Sequence, residues 1–268
     1  MSFEFDPEQR YMMPAHFGPR PAAPSARYHD VTKMVISYRT DRDKLAAYVP
    51  APFEVTEDAI VSVVYSCGKQ IDWLAGHGYN LIGVNASVVF NGKVDHLQGA
   101  YTLVMWENLT DPILTGRELQ GIPKIYADIP DHTVCEGTWR VAASHFSHRI
   151  LQMTITDLTP CTDEQIANSQ KAMAGKDNWM GWKYIPNPNG EGAALSTPTL
   201  FPSSRATTDL QVGTGTIAWE QLTWEQNPTQ YHIVNALHDL PILEYCSASV
   251  AKGSTNLVVA GKPVRELQ

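Results

Sequence analysis

The chain has 268 residues, enough for one large domain or two small ones around a sizeable core. With 43% hydrophobic and 18% charged residues it reads as globular, and a formal charge of −8 disfavours attraction to phosphate backbones or anionic membranes. No basic run gives a nucleic-acid footprint, and no window approaches the ~18 consecutive apolar residues of a membrane helix. The N-terminal "MSFEFDPEQRYMMP" has neither the basic nor the apolar region of a signal peptide. Cys67, Cys135, Cys161 and Cys246 lack CxxC or CxxH spacing, so free thiols in a reducing cytoplasm are expected, without a zinc site or a disulfide frame.

Residues 1–27, rich in Pro, Ala and Phe, show no period and are expected to form an arm on a neighbouring surface. Residues 28–268 are expected to form a single domain. "VTKMVISYRT" (31–40) alternates as a strand does, and "DRDKLAAYVP" after it suits a short helix capped by Thr40 or Asp41 and ended by Pro50. "AIVSVVYSC" (59–67), "LIGVNASVVFNG" (81–92) and "LQGAYTLVMWE" (97–107) are strand-like, with Asn91-Gly92 marking a hairpin. A further hairpin is expected over 138–158, and "DEQIANSQKAM" (163–173) has helical spacing with an acidic first turn. A Trp-, Asn- and Pro-rich loop (176–195) and strands over 207–224 and 241–250 follow. Short strands dominate and two helices are evident, so the fold is expected to be mainly β, a β-rich α+β domain.

One segment carries chemistry. "GRELQGIPKIY" (116–126) isolates Lys124 among apolar residues and glycines. If residues 118–124 are extended, Glu118, Gln120 and Lys124 share a face, because strand side chains alternate. An ordinary lysine, with a pKa of about 10.4, is only about one part in a thousand neutral near pH 7. Burial disfavours its charged form, and a neutral lysine amine forms Schiff bases with carbonyl substrates. The alternative is a surface lysine weakly paired with Glu118.

"GRELQGIPK" resembles the active-site segment of the acetoacetate decarboxylase family, in which Gly-Arg-Glu leads to Pro-Lys and that lysine forms the Schiff base. "SYRTDRDKLAAYVPAPFEV" (37–55), "VVFNGKVDHL" (88–97) and "ALHDLPILEYCSAS" (236–249) resemble further family blocks, in family order. The resemblance implies a cone of curved antiparallel sheets with a few short helices, an apolar pocket and a homo-oligomer; imine chemistry at a lysine requires no oxidative cofactor or metal, so none is expected. The sequence also departs from the family. Ile125 stands where a second lysine usually follows, Val31 at the place of an expected arginine, and Leu81 at that of an expected glutamate. His29, Asp30, Asn80 and Asn85 are the nearby polar residues available to replace them.

A related branch uses the same lysine for aldol condensation and dehydration of 2-oxo acids, with a glutamine four residues before it and a tyrosine from a late strand. Gln120 has that spacing, and Tyr245 is the candidate tyrosine. The expected function is therefore a lyase in which Lys124 forms an imine with a small oxo acid, with Gln120 orienting the carbonyl and Tyr245 moving a proton. Glu118 either lines the pocket or pairs with Arg117. The alternatives are a β-keto-acid decarboxylase and a non-catalytic small-molecule binder. His145 and His148 fall in a strand-like run, where they are expected to face opposite sides rather than share a metal. Trp179, Trp182 and Tyr184 are candidates for a lid over the pocket or for packing anchors at a subunit interface.

Overall fold

The computed structural model describes residues 2–20, 25–173, 175–258 and 262–268; positions 1 and 21–24 of the expected arm lie outside them. The first half of the chain contains β1 (Arg27–Arg39), α1 (Arg42–Ala46), β2 (Phe53–Val55), β3 (Ile60–Ile71), β4 (Tyr79–Asn91), β5 (His96–Glu107), α2 (Thr110–Thr115) and β6 (Lys124–Tyr126). The second contains β7 (Thr133–Cys135), β8 (Thr138–His145), β9 (His148–Pro160), α3 (Asp163–Met173), β10 (Asn178–Pro186), β11 (Ala193–Phe201), β12 (Ser204–Trp219), α4 (Tyr231–His238), β13 (Glu244–Asn256) and β14 (Arg265–Glu266). The spacing-based helix over 163–173 appears with the same bounds. Asp41 caps α1, its carboxylate accepting from the Lys44 amide at 2.9 Å.

The strands join into one sheet in the order β14-β11-β10-β5-β4-β3-β1-β13-β12-β9-β8-β7, with β2 beside β4 and β6 beside β5. Pairing is antiparallel except for β5 with β10 and β5 with β6. The fold is mixed α+β, and the sheet is an open ladder rather than the cone that the resemblance implies. Its free edges explain why it stays open. At one end β14 is two residues long, and at the other β7 is three residues long and exposed throughout, so neither offers a ladder for the other to close on. The Trp-rich segment expected as a loop is β10 with the start of β11. Trp179 and Trp182 lie on β10, their indole N–H groups donating within the chain to Thr102 (2.7 Å) and Ser196 (2.9 Å).

Alternation along the central strands sorts the side chains. Met34, Ile36 and Tyr38 of β1, Val61, Val63 and Tyr65 of β3, and Ile82 and Val84 of β4 enter the main core. Trp106 of β5, Ile155 of β9 and Ile217 of β12 join them, as do Val234 and Leu237 of α4. The other side of β1, β3, β4 and β5 carries Lys33, Ser66, Leu81 and Glu107 in one register row. This second side holds the candidate site.

Candidate active site

Strand β5 ends by sending Trp106 into the core and Met105 and Glu107 to the opposite side. The chain then leaves through α2, passes a π-helical turn over Gly116–Gln120, and returns as β6 parallel to the end of β5, with Lys124 opposite Met105. A parallel neighbour needs such a crossover, because its strand must re-enter at the end where its partner began. Gly121 makes the reversal at φ 77°, a left-handed conformation that favours glycine. Gly116 is required for a different reason. A β-carbon there would lie 2.5 Å from both Cδ and Cε of Lys124 and 2.9 Å from its Nζ.

The extended reading of residues 118–124 does not hold. Arg117, Glu118, Leu119 and Gln120 are good helix formers and continue the coil of α2, whereas Pro123 constrains only the residue before it. Glu118 and Gln120 therefore lie on a helical turn, not on the strand face of Lys124. Arg117 donates to the Lys124 carbonyl at 3.0 Å and so ties the turn to β6. Tyr245 sits on β13 opposite Tyr38, whose ring it meets edge-on at 6.4 Å, on the core side of the sheet. Its hydroxyl accepts from the Ile217 amide at 3.0 Å and donates to the Ile217 carbonyl at 3.3 Å. The structure thus brings neither Tyr245 nor the Gln120 strand position to the lysine.

What it does bring is Glu107. The Lys124 side chain is 6% exposed and that of Glu107 0%, and Nζ stands 2.8 Å from Oε1. That is ion-pair distance, though off the angle of an aligned hydrogen bond, and Oε2 has no partner among the described residues. Nζ also donates to the Pro112 carbonyl at 3.1 Å. Burial pushes the Glu107 carboxyl above its usual range, and the Lys124 ammonium pulls it back only in part. Close by, the hydroxyls of Tyr28 and Tyr79 share a hydrogen bond of 2.8 Å. Burial drives both upward, Tyr28 to about 12, and the Glu107 charge adds to the effect on each.

The sequence reading missed Glu107 because it closes an apolar strand, where an acidic residue reads as a strand end. Its one signal was parity: Val104 and Trp106 define the core side, which puts Glu107 on the other. The register adds a second point. Leu81, the place of the expected glutamate, lies directly across from Glu107, so a carboxylate is present here on the adjoining strand. Val31 packs with Tyr28, Ile71 and Tyr79, and Leu81 borders the same apolar cluster. The polar residues near these positions are engaged elsewhere. His29 pairs with Asp72 at 2.6 Å, Asn80 donates to Asp131 and the Ile129 carbonyl, and Asn85 accepts from Thr102, while Asp30 is exposed. His145 and His148 do not face opposite sides; a two-residue turn at Phe146 and Ser147, both at positive φ, sets them directly across from each other. Among the described residues no group of three or more His, Cys, Asp or Glu side chains is placed to hold a metal ion.

Residues 12–266 match the acetoacetate decarboxylase (ADC) family. The chain is 29% identical over 238 residues to the acetoacetate decarboxylase of Burkholderia cenocepacia, covering 85% of each protein. It is 26% identical over 234 residues to that of Paraburkholderia xenovorans, covering 75% of this chain and 90% of the relative. In fold it is similar to the crystal structure of acetoacetate decarboxylase from Legionella pneumophila, with a TM-score of 0.74 at 22% identity over 94% of this chain and 92% of that one. It is also similar to the enduracididine biosynthesis enzyme MppR complexed with pyruvate, with a TM-score of 0.68 at 14% identity over 96% and 97%. With the lysine of "GRELQGIPK" buried at the end of its crossover, the chain belongs to the acetoacetate decarboxylase family.

Proposed function

We propose that this protein is a Schiff-base carbon–carbon lyase that decarboxylates a small 3-oxo acid of the acetoacetate type through Lys124. The observation that carries the reading is the burial of Lys124, 5% exposed, at the Pro-Lys position. Its amine adds to the ketone carbon, and loss of water leaves an iminium. The electron pair of the bond to the carboxylate then flows into that iminium, carbon dioxide departs, and the resulting enamine takes up a proton before hydrolysis frees the lysine. Val31 and Leu81 keep the surroundings apolar. An apolar site disfavours a substrate carboxylate more than the charge-dispersed state through which it leaves.

Decarboxylation is preferred to aldol condensation and dehydration on two grounds. The relatives at 26–29% identity are acetoacetate decarboxylases, whereas the 14% likeness to MppR concerns the fold. For the other branch, Gln120 stands on the π-helical turn rather than on the strand of Lys124, and the Tyr245 hydroxyl is engaged by the Ile217 backbone. Lys124 lies beneath α2 and the π-turn, its Nζ against the Pro112 carbonyl and its side chain against Gly116. Two cavities open elsewhere, one of about 400 Å³ beside Tyr48, Tyr101 and Trp182 and one of about 260 Å³ beside Arg27 and Arg205. The reading also carries a homo-oligomer, as the family resemblance implies, and a place in the cytoplasm, as the scattered cysteines suggest; no helix among the described residues is long and apolar enough to cross a membrane.

The test is incubation with acetoacetate, with carbon dioxide measured and the imine trapped by borohydride. Release of carbon dioxide together with a reduced adduct mapped to Lys124 is expected. An enal formed from pyruvate and an aldehyde, without carbon dioxide from acetoacetate, would favour the aldol branch. No adduct with any oxo acid would sink both.

A further inference from the structure

We propose that Glu107 is the acid–base partner of Lys124, taking the proton that the amine sheds and returning it to the departing hydroxyl. The proposal rests on imine formation at Lys124 but not on decarboxylation. The resting pair poses the problem. Nζ lies 2.8 Å from the Glu107 carboxylate and donates to the Pro112 carbonyl, contacts that favour an ammonium over the free amine whose lone pair attack requires. The next residue is Ile125, so no adjacent lysine pushes the proton away. What stands ready to accept it is a carboxylate with 0% exposure, whose burial raises its proton affinity and whose Oε2 has no partner among the described residues. Across the strand from it is Leu81, and nearby are the Tyr28 and Tyr79 hydroxyls, both raised away from ionisation. Among these neighbours no other group accepts a proton near neutral pH.

The steps balance without any outside acid or base. Glu107 accepts one proton from the ammonium, leaving a neutral amine beside a neutral acid. The nitrogen lone pair forms the carbon–nitrogen bond while the carbonyl π pair moves to oxygen, and a second nitrogen proton passes to that oxygen to give the carbinolamine. Protonated Glu107 then gives its proton to the hydroxyl, which leaves as water as the nitrogen lone pair closes the double bond. An iminium beside a carboxylate replaces an ammonium beside a carboxylate. The pair is neutral overall at every stage, so no uncompensated charge is left buried.

The experiment follows imine formation at Lys124 in the full-length protein in two ways, by borohydride trapping with acetoacetate and by reductive methylation with formaldehyde and cyanoborohydride. The second needs no knowledge of the substrate. Glu107→Gln keeps the shape and removes the proton carrier, and it is expected to slow both reactions about 10²-fold or more and to change their pH profiles. Glu107→Asp should restore the two-limbed profile at a reduced rate. A Gln variant with the wild-type rate and profile overturns the proposal. Should the Gln variant not fold, the Asp variant decides: a carboxylate withdrawn by one methylene should slow imine formation about 10²-fold, and an unchanged rate overturns the proposal. Methylation that depends on Glu107, with no adduct from any oxo acid, would end the decarboxylase reading and leave this one standing.

Discussion

Two lysine–carboxylate pairs in this protein have nearly the same length and opposite surroundings. Lys124 and Glu107 stand 2.8 Å apart at 6% and 0% side-chain exposure, and Lys69 and Asp131 stand 3.0 Å apart at 42% and 58%. The exposed pair is solvated on both sides, and water already satisfies most of what the partners supply. The buried pair has exchanged its hydration for one contact and one carbonyl, so each charge depends on the other. Distance alone does not separate a structural ion pair from a reactive one; burial does.

The sharpest way to break that contrast is Lys124→Met. It abolishes imine formation and leaves Glu107 buried without its cation, which should cost about 3–5 kcal/mol in urea unfolding at pH 8. The loss should depend on pH. With its folded-state pKa raised above the unfolded value of about 4.3, Glu107 contributes fully only below that value, and stability declines as pH rises through the raised pKa. The wild type should show a shallower decline, because the Lys124 ammonium pulls the Glu107 carboxyl part of the way back, and Lys124→Met combined with Glu107→Leu should recover most of the loss.

Next in size is Gly116→Ala. The backbone at Gly116, φ −67°, accepts alanine, so the effect comes from the new methyl group pressing on Lys124. A loss of about 1–3 kcal/mol is expected by thermal unfolding. Trapping at Lys124 should fall by more than that loss explains, and unchanged trapping would show that the amine does not need its present position. Smallest is Lys69→Met, within about 1 kcal/mol of wild type and closer still at high salt. Asp131 keeps the Asn80 amide at 2.8 Å, so a large effect there would erase the distinction between the two pairs.

The regular parts of the fold were legible because their signals are local. The alternation of "VTKMVISYRT" is the burial pattern of β1, and the spacing of residues 163–173 is helix α3. The element α4 was hidden for the opposite reason. Its eight residues, Tyr231–His238, fall between the expected strands over 207–224 and 241–250 and carry only two buried apolar positions, Val234 and Leu237, too few to mark a helical period. The turn at Gly116–Gln120 was misread because glycines and a proline punctuate it, although Arg117 to Gln120 favour a helix. The strand parity that put Gln120 on the face of Lys124 is therefore replaced by a helical turn, whereas Tyr245 had been named from the family resemblance alone.

By itself, the sequence singled out Lys124, the type of chemistry an isolated amine performs, and most of the strands that carry it. Glu107 was assigned to the lysine only by the parallel pairing of β6 with β5, and the open edges of the sheet likewise follow from long-range pairing. Side-chain periodicity is written residue by residue along the chain. Strand register is not, because it depends on which distant segment supplies the neighbouring hydrogen bonds.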